Sequence, residues 1–189
     1  MTEDARWERI ARTVACEGRV VDVFRDTVRI ERDGETREST YDVVHHPGAV
    51  AVVALYGDGT VALLEQFRYA VGERLREIPA GTLEEGETFE ACAERELVEE
   101  TGSRAARWTT LATFFTTPGF CDEAMRMFLA EDLSDAEGAP DEDEHLELVR
   151  VPLADAVAAA ERGELKDAKT IAGLLLARAR LEHEGRWPA

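Results

Sequence analysis

The chain has 189 residues, enough for one domain of ordinary size or a compact domain with an extension, and its 44% hydrophobic and 33% charged residues exclude low-complexity and disordered classes. Its 40 Asp and Glu against 22 Lys and Arg give a formal charge of −18. So negative a surface repels phosphate backbones and anionic head groups, which argues against nucleic acid and membrane as partners.

Residues 1–8 mix charges of both signs and carry no apolar stretch of the secretory kind. The longest apolar run, residues 49–56, is far short of the roughly 20 needed to cross a bilayer. Cys16, Cys92 and Cys121 are odd in number with no C-x-x-C pair. The expectation is a cytoplasmic protein with reduced thiols.

Residues 13–44 predict short strands: 19–24 and 27–32 are rich in β-branched side chains, and Asp33-Gly34 is a two-residue hairpin signal. A segment this short cannot bury a core of its own. The small antiparallel meander, assigned to residues 1–45, is therefore expected to pack on the rest of the chain or on a second copy, which makes a homodimer the natural assembly. His45-His46-Pro47-Gly48 punctuates the change to a second domain, residues 46–189. There the continuous apolar run 49–55 predicts a strand covered on both faces. Gly57-Asp58-Gly59 turns the chain into residues 60–65, its expected hairpin partner.

The turn-rich residues 79–87 lead to Thr88, a good N-cap, and to a helix running to about Thr101, with Gly102 placed to stop it. Strand-like residues 108–115, the turn Thr117-Pro118-Gly119 and a further strand at 124–130 follow. Residues 131–147 hold nine acidic side chains and no Lys or Arg, which predicts a solvated, mobile loop. Residues 148–153 resume strand character, and 155–162 and 169–182 have the spacing of two amphipathic helices. The only lysines, Lys166 and Lys169, read as a record of base composition rather than of mechanism. Helices mixed with antiparallel and buried strands indicate an α/β sandwich.

Chemistry concentrates in the first long helix. At 100° per residue Phe89, Cys92 and Ala93 share one face, which continues into Glu96 and Glu100 with Glu99 beside them. Three carboxylates at the end of an apolar stripe must be exposed, protonated or neutralised by cations, and a divalent metal is a neutraliser that takes oxygen ligands. Glu96 and Glu100, one turn apart, can hold one ion together. Arg95, four residues before Glu99, can pair with and orient it. An isolated acidic helix would more simply be a solvated face.

The context is more specific. Gly81, Glu87, Arg95-Glu96-Leu97, Glu99-Glu100 and Gly102 resemble the Nudix box, with Ser103 standing where the box has an apolar packing residue. The resemblance covers residues 47–189. It implies a Nudix-type α/β/α sandwich with a mixed sheet, preceded by the meander, that splits nucleoside diphosphates linked to another group with the help of Mg²⁺, for which Mn²⁺ is a substitute. By the same resemblance Glu96 and Glu100 are the principal metal ligands, Glu99 a further ligand in the catalytic centre, and Arg95 their orienting partner. The Ala80 carbonyl is another ligand, and Glu87 is linked to Arg95 or, through water, to metal.

Other stretches are similar to the ADP-ribose pyrophosphatase branch of that family. Pro118 lies 15 residues beyond Ser103, and residues 118–123 match its Pro-Gly-aromatic-hydroxyl-acid-Glu stretch except that Cys121 replaces the hydroxyl residue. Residues 46–50, 65–69 and 77–81 also look like branch segments. The resemblance implies that Arg68 contacts the diphosphate, that Glu77 lies near substrate and metals, and that Pro118 and Gly119 line the substrate site. Residues 141–145 resemble the loop that supplies a catalytic glutamate, Glu144, or Glu142 if the alignment shifts by two. Phe24 and Tyr41 are candidates for stacking on adenine across a dimer. The implied reaction converts ADP-ribose to AMP and ribose 5-phosphate. The alternatives are another substrate, such as the nucleotide sugar GDP-mannose, or a non-catalytic ADP-ribose sensor. A DNA-binding module or the loss of a box glutamate would favour the sensor; no such module is visible in this sequence and no box glutamate is lost.

Overall fold

The computed structural model describes residues 6–136 and 146–187. The chain forms two compact units, one of Met1–Gly48 with Phe115–Ala124 and the other of Ala49–Phe114 with Met125–Ala189.

In the first unit β1 (Arg6–Glu17), β2 (Asp22–Arg32) and β3 (Glu35–His45) form an antiparallel sheet in that order. The Asp33-Gly34 signal makes the β2–β3 turn, with φ of 55° and 80°, the left-handed pair that a tight hairpin needs. β2 is one strand where the residue pattern suggested two. The polar break at Arg25-Asp26 does not interrupt it, because the buried Asp26 carboxylate takes a fork of two 2.7 Å bonds from Arg12 on β1. β1 starts seven residues before Thr13, in a charged stretch with no apolar alternation, and is exposed along its whole length.

The second unit is the α/β/α sandwich. It contains β4 (Ala49–Ala54), β5 (Thr60–Arg68), β6 (Glu73–Glu77), β7 (Ala80–Thr82), α1 (Phe89–Thr101), all but the last residue of β8 (Ser103–Phe115), all but the first of β9 (Ala124–Asp135), β10 (Glu147–Pro152), α2 (Leu153–Glu161) and α3 (Ala168–His183). One sheet has the order β7-β4-β9-β8 and is mixed, since β4 runs parallel to β9 and antiparallel to β7. A second sheet, β10-β5-β6, is antiparallel.

All six residues of β4 are buried, as its unbroken apolar run requires. Ala49, Ala51 and Val53 join a core with α2 and α3, while Val50, Val52 and Ala54 join one with α1. The strand thus divides two helical layers. Its expected pairing with residues 60–65 is not formed beyond one Leu55–Val61 bridge. β4 has both edges taken by β7 and β9, so β5 leaves for the other sheet.

The acidic stretch after residue 130 begins as strand rather than loop. β9 continues to Asp135, and Glu131 is buried with ion pairs from Arg107 (3.1 Å) and Arg186. Tertiary pairing has overridden composition here. Ser103, at the box's apolar position, is also buried. Its hydroxyl lies 3.2 Å from the Tyr56 hydroxyl and donates to the Thr101 carbonyl at 3.4 Å, so the polar group is satisfied. Among the described residues no helix is long and apolar enough to cross a membrane.

Candidate active site

α1 is held at both ends by its own sequence. Thr88 is extended and its Oγ1 accepts from the Ala91 amide, while Gly102, at φ 63°, ends the helix with its amide on the Val98 carbonyl. Burial of Cys92, Ala93 and Leu97 in the core with β4 fixes the rotation of the helix. That rotation brings Glu96 and Glu100 to the backbone of β7. The Ala80 amide donates to Glu100 Oε2 at 2.8 Å, and a Cβ built on Gly81 would stand 1.7 Å from Glu96 Oε1. Only glycine lets that carboxylate lie against the strand.

Arg95 gathers three of the box carboxylates. Its Nε and Nη2 each donate to Glu87 at 3.0 Å, and its Nη1 donates to Glu96 Oε1 at 2.7 Å and to Glu99 Oε2 at 3.0 Å. Nη2 also reaches the Thr82 carbonyl at 3.2 Å, tying the helix to β7. The guanidinium holds the Glu87 carboxyl down to about 2 against the opposing effect of burial, and Glu87 in turn raises the pKa of Arg95. Burial pushes the neighbouring Cys92 thiol up to about 12, which makes it packing and not a nucleophile.

A second charged cluster lies on the β5–β6 hairpin. Leu64 pairs with Glu77, so Arg68 and Glu77 lie on one face of the hairpin, and the Arg68 fork closes on the carboxylate with two 2.7 Å bonds. Glu77 is 3% exposed and also accepts from Lys169 of α3. Burial works to raise its pKa, but the bonds from Arg68 and Lys169 outweigh this and keep it below the ordinary carboxylate value.

Pro118 and Gly119 belong to the first unit. There the segment after Phe115 folds back on β3: the Val44 amide donates to the Phe120 carbonyl at 2.7 Å, and the Asp122 amide to the Val44 carbonyl at 3.1 Å. Asp122 also accepts from the His46 amide at 2.9 Å, and its carboxylate lies 2.7 Å from His45 Nδ1. Pro118, Gly119 and Phe120 line an apolar groove of about 500 Å³ with Trp7 and Tyr41, whose rings are 6.0 Å apart. Phe24 instead lies under the Arg12 guanidinium at 4.3 Å.

The description "NUDIX domain" fits residues 45–174 as a family model. The chain belongs to the NUDIX family. It is 42% identical over 163 residues to the ADP-ribose pyrophosphatase of Bacillus subtilis (strain 168), covering 85% of this chain and 86% of that protein. It is also 32% identical over 175 residues to the GDP-mannose pyrophosphatase of Cronobacter sakazakii, covering 80% and 91%. Among solved structures, a crystal structure of an ADP compounds hydrolase superposes with a TM-score of 0.80, over 96% of this chain and 97% of the other, at 24% identity, a likeness of fold.

The NUDIX residues suit a divalent cation in donor chemistry. Hard carboxylate oxygens from α1 meet β7 backbone at Gly81, where the missing side chain leaves Glu96 room, and Arg95 supplies the counter-charge that lets several carboxylates share one place. One oxygen each of Glu96 and Glu99 accepts from Arg95 and one of Glu100 from the Ala80 amide, and among the described residues no three His, Cys, Asp or Glu side chains already converge as a ligand set. At Ala80 the observed bond is made by the amide. The structure brings Arg95, Glu87, Glu96, Glu99, Glu100, Ala80 and Gly81 together, and Arg68 with Glu77. Glu142 and Glu144 lie outside the described residues. The sequence reading missed Lys169, Asp167 and Thr170. The available signal was Asp167 three residues before Thr170, an N-cap spacing, with a lysine between them.

Proposed function

We propose that this NUDIX protein hydrolyses the diphosphate linkage of ADP-ribose, adding one water to give AMP and ribose 5-phosphate, with Mg²⁺ as the ion and Mn²⁺ as a substitute. The observation that carries the reading is the approach of Glu96 and Glu100 to the 80–81 backbone, with Arg95 bridging Glu87, Glu96 and Glu99. Likeness to the B. subtilis pyrophosphatase supports the choice of substrate.

Glu96, Glu100, Glu99 and the Ala80 carbonyl would hold the ion. When bound, Mg²⁺ cancels diphosphate charge, polarises phosphorus and acidifies the attacking water. Arg95 supplies counter-charge and aims the carboxylates through its bonds to Glu87, Glu96 and Glu99. Arg68 meets the diphosphate with the edge of its guanidinium that Glu77 leaves over. Glu144, or Glu142, takes the proton of the water. The exposed apolar side chains of β1, with Trp7 57% exposed and Val14 54%, suit a homodimer formed through the meander in the cytoplasm, and a monomer by light scattering would remove that part.

The test is a substrate panel with Mg²⁺: ADP-ribose, GDP-mannose, NADH and a diadenosine polyphosphate, products resolved by chromatography, with EDTA controls. Preferential, EDTA-sensitive release of AMP and ribose 5-phosphate supports the proposal. Preference for GDP-mannose keeps the hydrolase and replaces the substrate, and tight ADP-ribose binding without cleavage makes the protein a sensor.

A further inference from the structure

Lys169 stands in the first turn of α3 with 14% of its side chain exposed, against 64% for Lys166 three residues earlier. A lysine ammonium is strongly hydrated and is seldom buried unless paired. Here two carboxylates account for it: Nζ donates to Glu77 Oε2 and, at 2.8 Å, to Asp167 Oδ1. Asp167 Oδ2 in turn accepts from the Thr170 amide at 2.9 Å and from the Thr170 hydroxyl at 2.5 Å. That hydroxyl accepts from the Ile78 amide at 2.8 Å, and Ile78 is joined to Glu77 by one peptide bond. The hydrogen bonds form a closed ring. It has little slack, since a Cβ at Gly173 on the same helix would stand 2.7 Å from Ile78 Cδ1.

The ring ends at a carboxylate whose second task is to hold Arg68. Nε and Nη2 of Arg68 take the two oxygens of Glu77, which puts guanidinium and carboxylate in one plane and leaves Nη1 outside the fork. The terminal torsion of a glutamate is intrinsically broad. A third donor on Oε2 narrows it, and whatever narrows it also fixes the direction of Nη1. Charge matters as well. Arg68 and Lys169 balance Glu77 and Asp167, so loss of the lysine leaves one net negative charge beside the place where an anion is to bind.

We infer that Lys169 is a positioning residue for Arg68: acting through Glu77, it aims the guanidinium edge that receives the diphosphate and keeps the cluster neutral. The inference rests on the diphosphate role proposed for Arg68. It places the effect in binding shared by ground and transition states, so KM changes and kcat does not.

The experiment compares the full chain with Lys169→Met, Lys169→Arg and, as a control for charge at an exposed neighbour, Lys166→Met. Readouts are thermal midpoint, kcat and KM for ADP-ribose, and calorimetric affinity for inorganic pyrophosphate in EDTA. Lys169→Met is expected to raise KM and weaken pyrophosphate binding by about tenfold each, with kcat within about threefold. Lys169→Arg recovers most of the loss, and Lys166→Met stays within about twofold of wild type. A lowered midpoint with unchanged KM and pyrophosphate affinity makes Lys169 merely structural and overturns the inference, as does an equal effect from Lys166→Met. Should Lys169→Met fail to fold, Thr170→Val cuts the same ring while keeping every charge. It should raise KM by about threefold, and a wild-type KM overturns the inference. Wild-type protein that cleaves no ADP-ribose, with pyrophosphate affinities still ordered as expected, rejects the substrate and keeps the role of Lys169.

Discussion

Gly81→Ala adds one carbon, and the structure says where it lands: 1.7 Å from Glu96 Oε1, 1.9 Å from Cδ and 2.6 Å from Cγ. Comfortable carbon contacts are about 3.5–4.0 Å, so the Glu96 side chain must swing away. Gly81 is not among the glycines with positive φ, so alanine brings no backbone strain and the cost falls on Glu96 alone. Leaving its place, Glu96 gives up the 2.7 Å bond from Arg95. A hydrogen bond to a charged group contributes about 1.5–3 kcal/mol when well buried. Here Arg95 is one-quarter exposed and keeps Glu87 and Glu99, so the expected loss is about 1 kcal/mol, or roughly 2–4 °C in Tm. Activity should suffer far more, by about 100-fold in kcat, because an oxygen ligand has been moved. The assay is Tm and kcat for Gly81→Ala, Glu96→Ala and the double variant. With Glu96 truncated the space is vacant, so Gly81→Ala should then cost nothing further. A single variant within about threefold of wild-type kcat would refute the reasoning, as would an undiminished cost in the Glu96→Ala background.

Further outcomes are expected. Thr88→Ala removes the acceptor for the Ala91 amide at 3.2 Å and should lower stability by about 1 kcal/mol, leaving kcat within about twofold; denaturant unfolding and steady-state assay check both. Because Glu87 has a folded pKa of about 2 against an ordinary 4.5, its stabilisation is complete above the ordinary value and is lost as pH falls from there through about 2. The stability gap between wild type and Glu87→Gln, at most about 3 kcal/mol before solvent screening, should therefore be constant above pH about 5 and close in acid; a gap that widens there contradicts the pairing with Arg95. Glu144→Gln should cut kcat by about 100-fold or more and Glu142→Gln much less; equal, small effects remove this loop from the proton transfer.

Local chemistry was the legible part of the sequence. Thr88 and Gly102 marked the ends of α1 because capping depends on the residues at the cap itself. The unbroken apolar run of β4 announced burial on both faces. What pairs with what was less legible: Gly57-Asp58-Gly59 makes its turn, yet the flanking strands belong to different sheets, a choice made by β7 and β9. Glu131 looked like the start of a loop because the arginines that pair with it, Arg107 and Arg186, are distant in sequence. The site divides in the same way. Arg95, Glu96, Glu99 and Glu100 stand on one helix and were readable from spacing, whereas Lys169 and Thr170 meet Glu77 and Ile78 across 92 residues, which no periodicity reveals.

The central claim is that the glutamates brought to β7 by α1 hold the ion on which hydrolysis depends. The measurement that tests it most directly is release of AMP from ADP-ribose as Mg²⁺ is titrated into metal-stripped wild type and Glu100→Gln, with folding of both checked by circular dichroism. The account predicts no release without metal, saturable release from wild type, and a loss of about 100-fold or more in the folded variant. Wild-type turnover in Glu100→Gln, or release undiminished by metal removal, would contradict it.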